Sequence, residues 1–303
     1  MKKDTVLVVG SVAIDDVETP FGKRVGAVGG SAIYFSMACS FFTKVCVVGI
    51  AGTDFPRDTI HALNERNVDT KGLIIQEGKT FRWGGKYHDN INFRDTLYTE
   101  LGLFEKFDPK LPEEYRTVPF VFLANIQPSL QLKVLNEVAS PRFVACDTMN
   151  LWIDTAHDEL LKLLGRVNML LINDFELYDL TGEYNLIKGL EKVHDLGPEY
   201  VVIKKGENGA YLSSKGRLFF SPAYPVRKPI DPTGAGDSFA GGLFGFLATT
   251  GKINFRTLKK ALIYGSVFGS ICVEDFSINN LLKADHNLVE KRYRFLRNLV
   301  SLL

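Results

Sequence analysis

Residues 231–239 read Asp-Pro-Thr-Gly-Ala-Gly-Asp-Ser-Phe, continue as Ala240-Gly241-Gly242, and lead into an apolar helical run at 243–248. A small-residue turn that feeds a helix leaves the first backbone N–H groups without intrahelical acceptors. Here those groups belong to Gly234, Ala235, Gly236 and Asp237. They gather at the positive end of the helix dipole, and glycine lets the backbone approach an anion closely. Phosphate, or the charge that builds on it during transfer, suits such a pocket. Asp237, at the same helix start, is placed to take the proton of an attacking hydroxyl. The competing reading is structural: Asp237 is an N-cap and the glycines only turn the chain.

That turn needs a frame to hold it. Short apolar runs occur at Val6–Val9, 45–48, Phe120–Leu123, 143–146, 169–172 and 200–203. They lack polar alternation, as strands buried on both faces do. Segments with helical spacing separate most of them, at 33–42, 57–67, 130–139, 158–164, 176–180 and 187–196. The alternation predicts an α/β fold with a doubly wound, mostly parallel sheet flanked by helices. No repeat, low-complexity tract or linker interrupts it, so residues 1–303 read as one domain.

Two stretches break the rhythm, at roughly 15–28 and 73–103. The second holds strand-like segments at 73–76, 80–87 and 96–99, separated by Glu77-Gly78 and Asp89-Asn90. Together they predict a small antiparallel β flap, or lid. Such strands bury one face on something, either a ligand crevice or a partner's flap. Phe81, Trp83 and Gly85 alternate with Arg82 and Gly84, which puts an aromatic ring on a face costly to leave in water. Trp83 is therefore expected to be shielded by acceptor or by a second subunit, in a homodimer formed through the flap.

Composition narrows the class. Of 303 residues, 46% are hydrophobic, and 36 basic against 35 acidic residues leave a net charge of +1. That is enough for a large core, and no basic block marks a nucleic-acid footprint. Cys39, Cys46, Cys146 and Cys272 form no C-x-x-C pair, which argues against a disulfide framework and a zinc site. Residues 1–14 read as a first strand and not as a signal peptide, because no small-residue cleavage site precedes Asp15-Asp16. No apolar run approaches the ~20 residues that span a bilayer. A soluble, cytoplasmic protein with no membrane or nucleic-acid partner is expected.

The run 231–237 resembles the C-terminal signature of the ribokinase/PfkB kinases, D-T-x-G-A-G-D, with Pro232 for the common threonine. The resemblance extends over nearly the whole chain. It implies that Asp237 is the catalytic base and that the Gly234, Ala235 and Gly236 amides form the anion hole. Gly10-Ser11-Val12-Ala13-Ile14-Asp15 is similar to the family's first strand, whose final Asp binds substrate hydroxyls, a role that falls on Asp15 and not on Asp16. Gly29-Gly30 resembles the substrate loop. Tyr34 stands where the family usually has a sugar-binding Asn; it is either a stacking residue or a core residue. Asn173 and Glu176 match N-x-x-E, which implies an outer-sphere magnesium site, although the pair also reads as a capping box. Gly49–Phe55 resembles a supporting segment. Lys204, Gly206 and Gly209 fall on the segment beneath the nucleotide phosphates, and Thr233 lies beside it. Asp231 and Thr233 precede the turn where some members bind potassium. Asp147–Trp152 is similar to D-x-N-x-R but lacks the Arg and shifts the Asn, and it is assigned no chemistry.

The resemblance implies an ATP-dependent kinase, with Mg²⁺ and in some members K⁺, that phosphorylates a hydroxyl of a sugar or sugar-like molecule. A nucleoside is the alternative acceptor, since aromatic side chains in and near the flap offer faces to a base. A sugar phosphate would need a basic clamp, for which Arg82, Lys86 and Arg94 are the candidates. A non-catalytic nucleotide- or metabolite-binding regulator on the same fold is the competing class. The sequence holds neither G-x-x-x-x-G-K-[ST] nor H-R-D, which disfavours P-loop and protein kinases.

Overall fold

The computed structural model describes residues 4–301, so residues 1–3 of the N-terminal stretch lie outside it. Its strands are β1 Val6–Val9, β2 Ala13–Thr19, β3 Gly22–Gly29, β4 Val45–Gly52, β5 Val68–Gln76, β6 Phe81–Tyr87, β7 Arg94–Glu100, β8 Phe120–Leu123, β9 Phe143–Asp147, β10 Met169–Asn173, β11 Tyr200–Lys204, β12 Ala210–Ser214 and β13 Arg217–Ser221. Nine of them form one sheet in the order β13-β12-β11-β10-β9-β8-β1-β4-β5. From β11 to β5 every pairing is parallel, and β12–β13 close one edge as an antiparallel hairpin.

Successive residues of the central strands serve two separate cores. Val6 and Val8 belong to one apolar cluster, and Leu7 and Val9 to the other. The first cluster takes α1 (Ser31–Cys39), α2 (Arg57–Glu65), α8 (Ala235–Thr250), α9 (Phe255–Cys272) and α11 (His286–Val300). The second takes α3 (Pro128–Glu137), α5 (His157–Leu164), α6 (Asp174–Thr181) and α7 (Leu186–Asp195). Both faces being covered is why the strands read as unbroken apolar runs.

Helix α8 is held unusually close to α1. A Cβ on Gly241 would lie 2.4 Å from the Phe35 carbonyl oxygen, so only glycine permits this approach. The two helices also share aromatic packing: Phe35 stacks on Phe122 of β8 with 4.3 Å between centroids and touches Phe244 of α8. The turn that starts α8 is thereby fixed against the sheet.

The flap is a four-stranded sheet of order β3-β2-β6-β7. Two expectations are corrected. Residues 73–76 are not flap: they end β5, which pairs in parallel with β4 through a bulge between Cys46 and Val48. The polar residues Asp69, Thr70 and Lys71 hide this strand's start, and Ile74 and Ile75 stay exposed because β5 is the sheet edge. The flap is also not wholly antiparallel, for β2 and β6 run parallel. Strand β6 arrives after a crossover through the main sheet, not through a hairpin.

Candidate active site

Three neighbouring strands end in polar side chains. The register aligns Asp147 of β9 with Leu171, and Asn173 of β10 with Lys204 of β11. Asp147, Asn173 and Lys204 thus stand at the C-terminal edge of the sheet, where ligands of doubly wound folds bind. The N-terminal turn of α8 faces them. A Cβ on Gly236 would lie 3.2 Å from Lys204 Nζ.

The turn has the backbone its glycines predict. Gly234 has φ of 74°, and its bare Cα rests on the Tyr34 ring, which a Cβ there would meet at 2.3 Å. Tyr34 is 2% exposed. Its ring face is occupied by Gly234, so it supports the turn and does not offer that face to an acceptor. A second correction concerns the anion hole. The Ala235 N–H donates to the Pro232 carbonyl at 3.1 Å, which leaves Gly234, Gly236 and Asp237 as the N–H donors of the turn. Asp231 Oδ1 accepts from the Thr233 N–H at 2.9 Å and closes the turn from the other side.

Carboxylates converge here. Burial pushes the Asp237 carboxyl up to about 6, against the pull of Lys204 and Arg94. Burial, reinforced by Asp231, Asp237 and Asp16, raises Asp15 to about 8. Asp147 is raised well above the usual carboxylate range by burial, opposed by Lys204 and aided by Asp237 and Glu176. Burial also raises Glu176, and Lys204 opposes it. Three buried carboxylate oxygens have no hydrogen-bond partner: Asp15 Oδ1, Asp147 Oδ1 and Asp231 Oδ2. Such atoms are costly unless something binds them.

The remaining candidates fall as follows. Asp15, on β2, places its carboxylate over bare Gly29, where a Cβ would lie 1.9 Å from Oδ2. Gly30 has φ of 100°, and reciprocal bonds between Ser11 and Ser31 tie the start of α1 to the end of β1. Asn173 and Glu176 form a complete capping box, each side chain accepting the other's N–H at 2.8 Å. Gly206 and Gly209 adopt φ of 53° and 86° in a tight turn. They line a cavity of about 380 Å³ together with Pro232, Ala235, Gly236 and Phe239.

The flap's two faces separate its charged residues. Arg94 lies opposite Tyr87 on the inner face. Lys86 pairs with Glu18 at 2.7 Å on the outer face, and Asp16 there accepts from Tyr98 Oη at 2.7 Å. Arg82 shares that outer face, so of the three basic candidates only Arg94 faces the crevice.

Two residues stand at the crevice in ways the sequence did not indicate. Asp147, assigned no chemistry above, ends an apolar strand as Asp15 nearly does. Tyr87 is buried in the flap, and its hydroxyl lies 3.1 Å from Thr233 Oγ1, joining flap to turn. Nothing in its local sequence points across 146 residues.

Residues 21–285 match the family described as pfkB family carbohydrate kinase. The chain belongs to that family. A cytidine kinase of Thermococcus kodakarensis is 32% identical over 267 residues, 86% of this chain and 92% of its own. Among solved structures, a Burkholderia thailandensis nucleoside kinase in complex with ADP-inosine superposes with a TM-score of 0.81 at 16% identity, covering 98% of each chain. The aminoimidazole riboside kinase of Salmonella enterica, complexed with aminoimidazole riboside and an ATP analogue, gives 0.71 at 18% identity, covering 95% of this chain and 99% of that one. As a PfkB kinase the chain is a phosphotransferase with a hydroxyl acceptor on a ribokinase-like fold. Among the described residues no helix is long and apolar enough to cross a membrane.

Proposed function

We propose that this PfkB kinase transfers the γ-phosphoryl group of ATP to a nucleoside hydroxyl, with Asp237 as general base. The observation that carries the reading is the Asp237 carboxyl itself. It is raised to about 6 beside the free N–H donors of the α8 turn. A base poised near neutrality next to an anion pocket is what phosphoryl transfer to a hydroxyl requires. The relationship to the cytidine kinase supports a nucleoside over a free sugar.

In this reading Asp15 accepts hydroxyl protons of the acceptor, over the Gly29–Gly30 loop. ATP phosphates lie along Gly206, Gly209 and Lys204, with its base in the cavity beside Phe239. Gly234, Gly236 and Asp237 N–H groups, with Lys204 and Arg94, meet the charge that develops on the transferring group. The residues fit a magnesium ion bound through water: Asp147 Oδ1 has no partner, and Glu176 uses one oxygen in the capping box. Among the described residues no cluster of three ligands suits direct coordination. Bound with ATP, the ion would neutralise phosphate charge. Potassium is proposed at Asp231, whose Oδ2 is buried without a partner. Equal rates in K⁺ and Na⁺ at constant ionic strength would remove that assignment. A flap homodimer is not required to cover Trp83, because its face turns inward.

The test is ADP release with a panel of nucleosides, free sugars and sugar phosphates. Turnover highest with a nucleoside is expected. A free sugar as the best acceptor would overturn the nucleoside assignment.

A further inference from the structure

The flap segment Phe81-Arg82-Trp83-Gly84-Gly85-Lys86-Tyr87 contains two adjacent glycines, and each carries an aromatic ring on its bare Cα. A Cβ on Gly84 would lie 2.3 Å from the Tyr98 ring on the outer face. On the inner face, a Cβ on Gly85 would lie 2.0 Å from the Trp83 indole. Tyr98 is accounted for by its bond to Asp16. The indole of Trp83 makes a longer, exposed bond of its own, to Thr96.

Its placement is fixed from several sides. Gly85 lets the six-membered end of the indole lie against its own strand. Trp83 Nε1 donates to Thr96 Oγ1 of β7 at 3.3 Å. The Arg94 guanidinium stands 5.6 Å from the ring centroid. The register pairs Trp83 with Asp15 on the parallel neighbour β2, so the two side chains share the inner face about 4.8 Å apart in backbone. Farther along the same face Tyr87 reaches Thr233 of the catalytic turn. The indole therefore lies between the carboxylate proposed to hold acceptor hydroxyls and the arginine that acts on Asp237. With Gly85 on one side and the Arg94 guanidinium over the ring, Trp83 remains partly exposed.

We propose that Trp83 is the specificity-determining platform of the acceptor site, and that it takes the planar base of a nucleoside whose ribose hydroxyls are held by Asp15. Gly85 and Thr96 are its positioning residues. A flat, pre-anchored indole loses little freedom when a base stacks on it. It gains a contact that a base-free sugar lacks. This rests on the nucleoside reading above and adds the residue that would enforce it.

The experiment compares cytidine with methyl β-ribofuranoside, a ribose without a base, used as substrate or as competitive inhibitor. Trp83→Leu is expected to raise the KM for cytidine about ten- to hundredfold, as loss of one base-stacking contact does. The constant for the methyl riboside should shift less than about threefold, and kcat for cytidine should change little. Trp83→Phe should restore most of the cytidine KM. Gly85→Ala keeps the indole but lifts it, and should raise the cytidine KM in the wild-type background yet add nothing to Trp83→Leu. That absence of a further effect separates positioning of the ring from general damage to the flap. An unchanged cytidine KM in Trp83→Leu, or an equal shift for both probes, overturns the platform while leaving the nucleoside reading intact. A wild-type enzyme that phosphorylates sugars and no nucleoside overturns both.

Discussion

The nine-stranded sheet and the four-stranded flap are built on opposite terms. In β1, β8 and β9 every residue is buried, and each strand is held by apolar packing on two faces. In β7 six of seven residues are exposed, and β3 is exposed for its first five. The sheet supplies rigidity and puts Asp147, Asn173 and Lys204 at one edge. The flap adds little core and contributes single side chains: Asp15, Trp83, Tyr87 and Arg94 on one face, Asp16, Glu18 and Lys86 on the other. In the proposed reading, rigid layers locate the transfer chemistry, while a thin, two-faced sheet chooses the acceptor.

Changes on the sheet side of the crevice should therefore strike rate, and those on the flap should strike acceptor binding. The largest effect is expected from Asp237→Asn. It should lower kcat by about 10²–10⁴ and leave ATP affinity, measured by equilibrium binding, within about threefold. Near-wild-type kcat would remove the base. Next comes Glu176→Gln, expected to raise the magnesium concentration for half-maximal rate by about tenfold, as loss of an outer-shell partner does. An unchanged titration would reduce Glu176 to a helix cap. On the flap, Tyr87→Phe deletes the bond to Thr233. It should raise the acceptor KM about two- to tenfold, the range of one net hydrogen bond, with a smaller change in kcat. A pure kcat loss would mean that the bond orders the turn and does not latch the flap. The smallest effect belongs to the outer face. Lys86→Ala breaks an exposed ion pair with Glu18 and should leave KM, kcat and Tm nearly unchanged. A large KM shift there would break the distinction between the two faces.

Much of the sheet was legible because burial on both faces leaves a plain trace, such as Phe120–Leu123. The α8 turn was legible because glycine spacing, an acid and a following apolar helix coincide within a few residues. The flap was half legible. Alternation along 81–85 gave the faces of Trp83 and Arg82 correctly, yet 73–76 was misplaced because an edge strand exposes one side and imitates a flap strand. What distance along the chain conceals was not legible. The Tyr87–Thr233 bond is one such case, and the Gly234 Cα on the Tyr34 ring is another. Asp147 was assigned no chemistry because its stretch lacks the arginine and shifts the asparagine; its burial at a strand end with an unpartnered oxygen is what the structure adds. In Ala235, the general rule for first-turn donors gave way to a local turn bond to Pro232.

The central claim is that Asp237 must be ionised to accept the hydroxyl proton. Its carboxyl is raised to about 6, so the active, deprotonated form is lost as pH falls through that value. The direct measurement is kcat/KM for the acceptor against pH at subsaturating ATP·Mg, which reports the unliganded enzyme, for wild type and Asp237→Asn. In wild type, kcat/KM should fall about tenfold per pH unit below a break near 6 and stay level above it. The residual activity of Asp237→Asn should show no such break. A wild-type profile that is flat through this region, or the same break in both proteins, would contradict the assignment.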